Sequence, residues 1–330
     1  MTVDRSITCV ASDLNVGNVD LSVIIPCHNA GRYIGQAVAS VLEQTGLPAG
    51  FKLEIVIADD RSDDDTPAVL AELARRHPQV RVVANDGARG PGPARNCAVR
   101  HAHGRWLACL DADDWWLAGS LARRWALLAA NPDVRWVTGD FRLVFDGRGG
   151  ELRDVALSQR PGYAGARLVD GGMCVARPVA GIASEQVVVN TCAVIVQRAL
   201  FDGVGGFDER FFNAEDVHLW LRLARLADLY HVPAILTAYR QHAGSETNSG
   251  KPPGLWDVPV YRDLCGRAEF RPWRRALAAA IGRRCLMDVR HYRRAGTRGQ
   301  ALAAGLRGLR YAPGSGQLWR ATAGTLLGRD

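Results

Sequence analysis

The sequence predicts an α/β protein with a mostly parallel central sheet, helices on both faces, and a C-terminal helical region rich in arginine. Two observations predict this fold class. Through the first 130 residues, short apolar runs alternate with segments whose apolar residues recur at helical spacing. Polar or acidic residues follow three of those runs directly. Alternating strands and helices are joined by right-handed crossovers, so polar residues at the strand ends gather at one edge of the sheet.

Four strands are predicted in this first part, at residues 21–26, 53–58, 80–84 and 105–110. Each is a short run rich in apolar and β-branched residues. Helical periodicity follows the first strand, and Thr66-Pro67 indicates the N-cap and first position of a second helix. Two further helices are predicted at 94–101 and 117–129.

After residue 130 the pattern changes. Residues 134–138 and 141–145 are predicted to be two strands of a hairpin, and residues 187–197 form a long β-prone run. A helix is predicted at 217–226, followed by extended structure at 231–239. The stretch between the hairpin and the β-prone run is rich in glycine and arginine, and we expect a substrate loop there.

These patterns divide the chain into three parts, at residues 1–19, 20–250 and 251–330. The first is an N-terminal extension, the second the main domain, and the third a basic helical region. Within the main domain, the change of pattern at residue 130 separates residues 20–130 from residues 131–250. The turn-rich stretch 244–253 is predicted to be the boundary to the basic region.

Composition excludes several classes of protein. The 330 residues are 48% apolar and 23% charged, as is typical of soluble globular proteins. No apolar run approaches the roughly 18–20 residues that span a bilayer, and residues 1–20 show no secretory signal. The eight cysteines have no C-x-x-C spacing, which favours reduced thiols in a cytoplasmic protein over a disulfide or zinc framework.

Charge is distributed unevenly along the chain, whose net charge is +7. Residues 265–330 carry 14 arginines, no lysine and three acids. This region has no nucleic-acid-binding motif, so no nucleic-acid partner is expected. Its arginines lie near Trp273, Trp319, Leu326 and Leu327, which suggests attachment to an anionic membrane surface. A helical cap on the main domain, or a contact between copies of the chain, is the other interpretation.

The strand predicted at 105–110 ends in three carboxylates, Asp111, Asp113 and Asp114. Burying unpaired carboxylates is costly, so this cluster needs water, a cation or backbone donors. In extended backbone Asp111 and Asp113 share one face, which suits a divalent cation that also binds phosphate oxygens. In the alternative interpretation the segment is a polar turn, in which Asp114 caps a helix that starts near Trp115.

Seven motifs occur in a characteristic order, at residues 23–29, 55–66, 94–96, 110–114, 205–211, 214–223 and 239–242. Their sequences are VIIPCHN, IVIADDRSDDDT, ARN, LDADD, GGFDERF, AEDVHLWLRL and YRQH. This order and spacing resembles that of a family-2 glycosyltransferase with the GT-A fold. The resemblance covers roughly residues 20–245, and it implies a nucleotide-sugar half at 20–130 and an acceptor half at 131–250.

The resemblance implies roles for the matching residues. Contacts to a nucleotide-sugar are implied for Pro26, His28, Asn29, Asp60, Arg95, Asp111 and Asp113. Asp113 and His242 would hold Mn²⁺ or Mg²⁺, and Asp216 would be the catalytic base. Asp216 opens a helical pattern, where the helix dipole favours a carboxylate, although an ordinary helix-starting acid gives the same pattern.

Three further residues are candidates for the acceptor side: Trp115, Trp116 and Glu215. The tryptophans follow the acidic motif directly. They are interpreted either as core residues or, for one of them, as the floor beneath an acceptor sugar.

The resemblance therefore implies a metal-dependent glycosyltransferase that uses a nucleoside-diphosphate sugar, with a UDP-sugar favoured. The acceptor would be a hydroxyl of a glycan, a lipid-linked molecule or a small molecule. One base and no second nucleophile favour inversion by single displacement. Two alternatives are a sugar-1-phosphate nucleotidyltransferase and a non-catalytic nucleotide-sugar-binding subunit. The expected location is cytoplasmic, with peripheral attachment to the inner membrane face, and the oligomeric state is left open.

Overall fold

A computed structural model of the protein describes residues 19–146, 150–242, 250–252 and 254–327. The predicted N-terminal extension falls almost entirely outside the described residues, as does most of the predicted boundary at 244–253. Within the described part, the chain forms one mixed sheet with apolar cores on both faces, followed by a helical region. The predicted α/β fold class with its C-terminal helices is confirmed.

The strands are β1 Leu21–Cys27, β2 Leu53–Asp59, β3 Val80–Ala84, β4 Trp106–Cys109, β5 Trp115–Trp116, β6 Trp136–Phe145, β7 Glu151–Val155, β8 Arg167–Val169, β9 Gly172–Val175, β10 Ile195–Gln197 and β11 Leu229–Gln241. The helices are α1 Gly31–Leu42, α2 Thr66–Arg76, α3 Pro91–Arg100, α4 Ser120–Ala130, α5 Val179–Ala183, α6 Arg198–Gly203, α7 Glu215–Leu226, α8 Gly254–Gly266, α9 Arg274–Arg294, α10 Arg298–Tyr311 and α11 Gly316–Leu327. The strand order is β3-β2-β1-β4-β10-β6-β11-β9-β8, with β5 paired to β11 and β7 to β6.

The four strands predicted in the first part of the chain are β1 to β4, and they pair with one another in parallel. Alternate residues of β1 and β2 enter different cores: Ile24 and Val56 pack on one face of the sheet, Val23 and Ile55 on the other. Strands buried on both faces are typical of a parallel sheet covered by helices. Their carboxyl ends therefore share one edge, where the polar residues that follow them meet.

The predicted hairpin at 134–145 is wrong, because β6 runs without a break through this segment. The polar residues between the two predicted strands are satisfied inside the protein. Asp140 accepts hydrogen bonds from Ser158 and lies 2.7 Å from the ring nitrogen Nε2 of His231. Gly139 allows β11 to approach, since a Cβ there would lie 2.3 Å from Cδ1 of Leu236. Contacts with residues far away in the sequence thus keep this segment extended, although its sequence resembles a turn.

The β-prone run at 187–197 contains only the short strand β10. A 3₁₀ turn at Thr191–Ala193 precedes the strand, and the side chain of Asn190 accepts a hydrogen bond from the Cys192 amide. The prediction of a long strand is wrong because this turn interrupts the extended backbone. The turn places Thr191 beside α7, where its hydroxyl donates a hydrogen bond to Asp216 at 2.8 Å.

The C-terminal helices pack onto the main domain through a shared core. Phe270, Leu277 and Ile281 belong to the same buried cluster as Leu219 and Trp220 of α7. Helix α9 also packs against α8, α10 and α11. Among the described residues, no helix is long and apolar enough to span a bilayer, and the seven cysteines found there are free thiols.

Phe270 provides a test of this shared core, because its side chain is fully buried. We expect Phe270→Ala to lower the free energy of unfolding by about 3–5 kcal/mol, since the substitution leaves a large cavity. Leu306→Ala, at an exposed position of α10, should change it by less than about 0.5 kcal/mol. Urea unfolding monitored by tryptophan fluorescence measures both variants. Similar losses in the two would contradict a shared core.

Candidate active site

A cleft of about 920 Å³ opens at the carboxyl ends of β1, β2 and β4. The residues after these strands, together with His242 after β11, line one part of the cleft, the strand-end wall. The residues at the start of α7 line a second part, the helix wall, and those at the start of α8 line a third. Ten of the predicted site residues line the cleft: Pro26, His28, Asn29, Asp60, Arg95, Asp111, Asp113, Glu215, Asp216 and His242. The fold therefore gathers residues from distant parts of the sequence.

Arg95 of α3 joins the two walls, and its side chain is only 5% exposed. The guanidinium donates to Oδ1 of Asp111 and to Oε1 of Glu215, each at 2.6 Å. It also lies 5.3 Å from the centre of the Phe207 ring. A buried guanidinium needs anionic partners, and its planar fork can serve two carboxylates at once. Glu215, predicted on the acceptor side, is thus an ion-pair partner of Arg95.

Glu215 is almost fully buried, and this burial raises the pKa of its carboxyl to about 7. The positive charge of Arg95 opposes the rise, whereas the negative charge of Asp216 adds to it. Arg95 is shared with Asp111, so one cation balances two carboxylates. The helix wall therefore carries a carboxyl group that is close to titration at neutral pH.

Asp113 and His242 meet on the strand-end wall, with Oδ2 of Asp113 3.0 Å from Nε2 of His242. Burial and the nearby charge of Asp111 raise the pKa of Asp113, while His242 opposes the rise. Carboxylate oxygen and imidazole nitrogen are both ligands that Mn²⁺ accepts, and carboxylate also suits Mg²⁺. The donor set therefore fits a divalent cation, whose charge would offset the repulsion between Asp111 and Asp113.

Asp114, the alternative helix cap, is buried behind the strand-end wall. Its carboxylate accepts hydrogen bonds from the amide of Arg240 at 2.8 Å and from the thiol of Cys192 at 2.9 Å. Burial, with the charges of its two aspartate neighbours, raises the pKa of Asp114 well above its usual range. Helix α4 begins only at Ser120, so the capping interpretation is wrong.

Arg240 holds the acidic loop in place from the neighbouring strand β11. Its Nε donates to the carbonyl oxygen of Asp113 at 2.9 Å, and a terminal nitrogen pairs with Asp146 at 2.9 Å. The guanidinium lies 4.8 Å from the ring centre of Tyr33 and 4.7 Å from that of Trp115. Both contacts are within the range of cation–π attraction. Arg240 lies in the last motif, but no role was predicted for it.

Neither Trp115 nor Trp116 lines the cleft. Trp115 contacts Arg240. Trp116 is 2% exposed, its indole nitrogen donates to the carbonyl of Cys192 at 2.9 Å, and its ring packs against the guanidinium of Arg124. Of the two interpretations given for these residues, the structure therefore places Trp116 in the core.

Asp60 organises the loop that follows β3. Its Oδ2 accepts a hydrogen bond from the amide of Gly90 at 2.7 Å, and its Oδ1 accepts one from Asn85 at 2.8 Å. Oδ1 also pairs with Arg61 at 2.9 Å. Gly90 has a φ of +128°, a conformation that favours glycine, and a Cβ there would lie 3.0 Å from the Phe212 ring. Asp60 thus lines the cleft and fixes its rim.

Asn29 and His28 follow β1 and contribute differently. The Asn29 amide pairs with Asp63 in both directions, donating to its carboxylate at 2.7 Å and accepting from its backbone amide at 3.0 Å. His28 is exposed, and its Nε2 lies 3.3 Å from the guanidinium of Arg89. Asn29 therefore braces the loop after β2, whereas His28 remains accessible from the cleft.

Asp216 lies in the first turn of α7, as predicted, on the helix wall. Its Oδ2 accepts a hydrogen bond from the hydroxyl of Thr191 at 2.8 Å, and its Oδ1 accepts one from the amide of Val217 at 2.6 Å. The start of a helix favours a negatively charged side chain. The carboxylate is therefore oriented by two donors.

Several cleft residues were not predicted: Thr191, Phe212, Trp256 and Asp257. Thr191 lies inside the β-prone run, where a threonine is common and does not by itself indicate a functional residue. Trp256 and Asp257 lie outside every motif, in a region interpreted only by its charge. Their position depends on how α8 docks, which no local pattern records.

The chain is similar to known proteins in sequence. Residues 22–171 match the family described as glycosyl transferase family 2. Over 236 residues the chain is 31% identical to the uncharacterized protein MT1568 of Mycobacterium tuberculosis, with 69% of each chain covered. The protein belongs to glycosyltransferase family 2. This confirms the family that the seven motifs resemble.

Two other relatives of this family-2 chain match over shorter regions. It is 31% identical over 124 residues to the UDP-Glc:alpha-D-GlcNAc-diphosphoundecaprenol beta-1,3-glucosyltransferase WfgD of Escherichia coli. It is 41% identical over 95 residues to the succinoglycan biosynthesis protein ExoO of Rhizobium meliloti. These matches cover 38% and 29% of this chain, but only 46% and 26% of the relatives.

Solved structures share the fold of this family-2 chain. S. aureus TarS 1–349, in complex with UDP-GlcNAc, matches with a TM-score of 0.60 at 16% identity, covering 94% of this chain and 93% of that one. Mannosyltransferase PcManGT from Pyrobaculum calidifontis, in complex with GDP-Man and Mn²⁺, matches with a TM-score of 0.51 at 21% identity, covering 94% and 88%. At these identities the likeness establishes the fold, and the predicted GT-A class is confirmed.

Glu215 gives the stability of the protein a distinct pH dependence. The pKa of Glu215 in the folded state, about 7, is above the ordinary value of 4.5. The protonated carboxyl therefore adds to the free energy of unfolding below pH 4.5, and this contribution is lost as the pH rises through 7. Glu215→Gln does not titrate. We therefore expect the free energy of unfolding of the variant, relative to that of the wild type, to rise by about 1–3 kcal/mol between pH 5 and pH 8.

Chemical unfolding at several pH values measures this difference. Glu269→Gln, at an exposed position, is the control and should follow the wild type across the range. The raised pKa would be contradicted if the difference in free energy of unfolding between Glu215→Gln and the wild type stayed constant with pH. It would also be contradicted if the wild type became relatively more stable as the pH rises.

Proposed function

We propose that this protein is a metal-dependent glycosyltransferase that moves a sugar from a nucleoside-diphosphate sugar to a hydroxyl of a saccharide acceptor, with inversion. One observation carries the proposal. The carboxylate–imidazole pair of Asp113 and His242 lies on one wall of the cleft, and the carboxylate of Asp216 lies on the other. A donor bound through its phosphates to the first wall would present its sugar towards the second.

On the strand-end wall, Asp113 and His242 would hold Mn²⁺ or Mg²⁺. The chemistry that the cation supplies when bound is stabilisation of the negative charge that grows on the departing diphosphate. Arg95 fixes Asp111 for contact with the ribose, and Asp60 holds the rim where the base would lie. TarS bound to UDP-GlcNAc and PcManGT bound to GDP-Man and Mn²⁺ support a nucleotide-sugar donor in this fold.

On the helix wall, Asp216 is proposed as the general base. The acceptor hydroxyl would lose its proton to this carboxylate while its oxygen bonds to the anomeric carbon. The bond from that carbon to the phosphate oxygen would break, and the nucleoside diphosphate would leave with the electron pair. Thr191 orients the carboxylate, and a single base on the face opposite the phosphates favours inversion.

The name of WfgD suggests a first substrate pair for the assay. That relative is named as a beta-1,3-glucosyltransferase that acts on UDP-Glc and alpha-D-GlcNAc-diphosphoundecaprenol. We propose UDP-glucose as donor, and a synthetic GlcNAc diphosphate with a short lipid chain as acceptor.

Two substitutions should separate the roles of the walls. Asp113→Asn should abolish the metal-dependent rise in melting temperature on addition of UDP, because the cation loses a ligand. Asp216→Asn should keep that rise, but lower transfer by roughly 10²–10⁴-fold, because the base is lost. Thermal shift with UDP or GDP, with and without Mn²⁺, and detection of UDP release measure both effects. Asp202→Asn, an exposed aspartate on α6, is the control and should change neither.

Transfer that survives in Asp216→Asn would exclude this residue as the base. Absence of any metal-dependent shift with UDP and GDP in the wild type would overturn the donor site itself. Removal of the metal with EDTA should abolish both binding and transfer if the cation acts as proposed.

The basic C-terminal helices are proposed to hold the enzyme at an anionic membrane surface on the cytoplasmic side, where a lipid-linked acceptor would lie. Arginines are exposed along α9, α10 and α11, at Arg290, Arg294, Arg298, Arg307, Arg310 and Arg320. Large apolar side chains are exposed beside them, at Leu306, Trp319, Leu326 and Leu327. Exposed cations next to exposed apolar groups are typical of helices that lie in a membrane interface.

Flotation with phosphatidylglycerol vesicles tests this attachment. Replacing Arg290, Arg294, Arg298 and Arg310 by Gln should weaken binding by about 1 kcal/mol for each arginine, because each one loses its attraction to the lipid charge. Arg75→Gln, exposed on α2, should have little effect. Vesicles of phosphatidylcholine should not bind the protein. Failure of the wild type to bind anionic vesicles at low salt would overturn the attachment.

A further inference from the structure

Helix α8 places a charged side chain in the cleft from outside the region that matches the family. Asp257, in the first turn of α8, lines the cleft and is 16% exposed. Its carboxylate forms an ion pair with Arg284 of α9 at 2.6 Å. Arg284 also pairs with Glu185 at 3.2 Å, so its position is set by two acids. Asp257 is therefore held in place before any ligand binds.

Two aromatic rings stand on the same side of the cleft. Trp256 precedes Asp257 and is half-buried, and Phe212, in the loop before α7, is 44% exposed. Their ring centres are 6.1 Å apart. Phe212 lies against Gly90, the position whose amide is held by Asp60. The ammonium of Lys251, which also lines the cleft, lies 5.3 Å from the Trp256 ring centre. Aromatic rings that line a cleft and remain partly exposed are typical of a ligand site.

This side of the cleft adjoins the helix wall, because Phe212 lies in the loop that leads into α7, and Asp257 and Asp216 both line the cleft. Burial raises the pKa of Asp257 to about 6; the positive charge of Arg284 opposes the rise, and the negative charge of Asp216 adds to it. Carboxylates in a partly buried cleft are stabilised by a ligand that donates hydrogen bonds to them. A sugar supplies such donors on its hydroxyls and offers an apolar C–H face to an aromatic ring.

We propose that Trp256 and Asp257 form a subsite for the acceptor saccharide. The sugar ring would pack on Trp256 and Phe212, and Asp257 would accept a hydrogen bond from a hydroxyl next to the one that reacts. This inference rests on the proposed function and adds the residues that would recognise the acceptor, a saccharide with neighbouring free hydroxyls. Acceptor recognition then depends on the C-terminal helices, whereas donor binding depends on the strand-end wall.

Saturation-transfer NMR with the full-length protein tests the subsite directly. The probes are the methyl glycosides of glucose, galactose and N-acetylglucosamine, titrated in the presence of UDP and Mg²⁺. We expect at least one glycoside to bind the wild type. Asp257→Asn and Trp256→Ala should each weaken that binding by about tenfold or more, because a charged hydrogen bond or an aromatic contact is lost.

Matched variants control for the fold. Leu255→Ala changes an exposed neighbour on the same helix that does not line the cleft, and it should bind the glycoside like the wild type. Trp256→Phe keeps an aromatic face and should retain most of the binding. A metal-dependent thermal shift with UDP in every variant would show that the donor site is intact.

The subsite is overturned if Asp257→Asn and Trp256→Ala bind the glycosides like the wild type. It is also overturned if the wild type binds UDP but none of the glycosides. A wild type that binds a glycoside, but shows no response to UDP with metal, would overturn the proposed donor site instead. In that case loss of glycoside binding in Asp257→Asn would still support the subsite.

Discussion

The cleft depends on one buried cation. Arg95 lies between Asp111 at the end of β4 and Glu215 at the start of α7, and it pairs with both at 2.6 Å. Without it, carboxylates would face one another across a partly buried space at a high electrostatic cost. Because its fork engages both walls, the guanidinium also sets the relative position of the proposed metal ligands and of Asp216. Geometry and charge balance are thus provided by the same side chain.

A second set of contacts positions the strand-end wall from the other half of the sheet. Strand β11 pairs with β6 and with the short β5, and it brings Arg240 and His242 alongside the acidic loop. Arg240 binds the carbonyl of Asp113 and lies between two aromatic rings, while His242 reaches the carboxylate of Asp113. The long strand therefore fixes the backbone of the loop and supplies one of its two proposed metal ligands.

The C-terminal helices share a core with the main domain and also reach the cleft. The buried cluster that contains Phe270 and Leu277 continues into α7, the helix whose first turn carries the proposed base. The same packing brings Asp257 to the third side of the cleft. A region interpreted from sequence only as a basic tail is thus physically continuous with the helix wall. Its cleft residues Trp256 and Asp257 lie on α8, whereas the surface arginines proposed to bind the membrane lie on α9, α10 and α11.

The sequence by itself determined those features that depend on local periodicity and on strand ends. Alternation of apolar runs with helical patterns placed β1 to β4, and the acids that follow a buried strand identified Asp111 and Asp113. The start of a helical pattern located Asp216. These inferences hold because each depends on neighbouring residues only, and because the ends of parallel strands must meet at one edge.

Only the tertiary structure decided the features that need a distant partner. Strand β6, Trp136–Phe145, is continuous because Ser158 and His231 contact Asp140 and because Leu236 packs against Gly139. Glu215 is an ion-pair partner because Arg95, far away in the chain, reaches it. No local pattern records such contacts, since the free energy of a buried polar group is set by whichever residues the folded chain places around it.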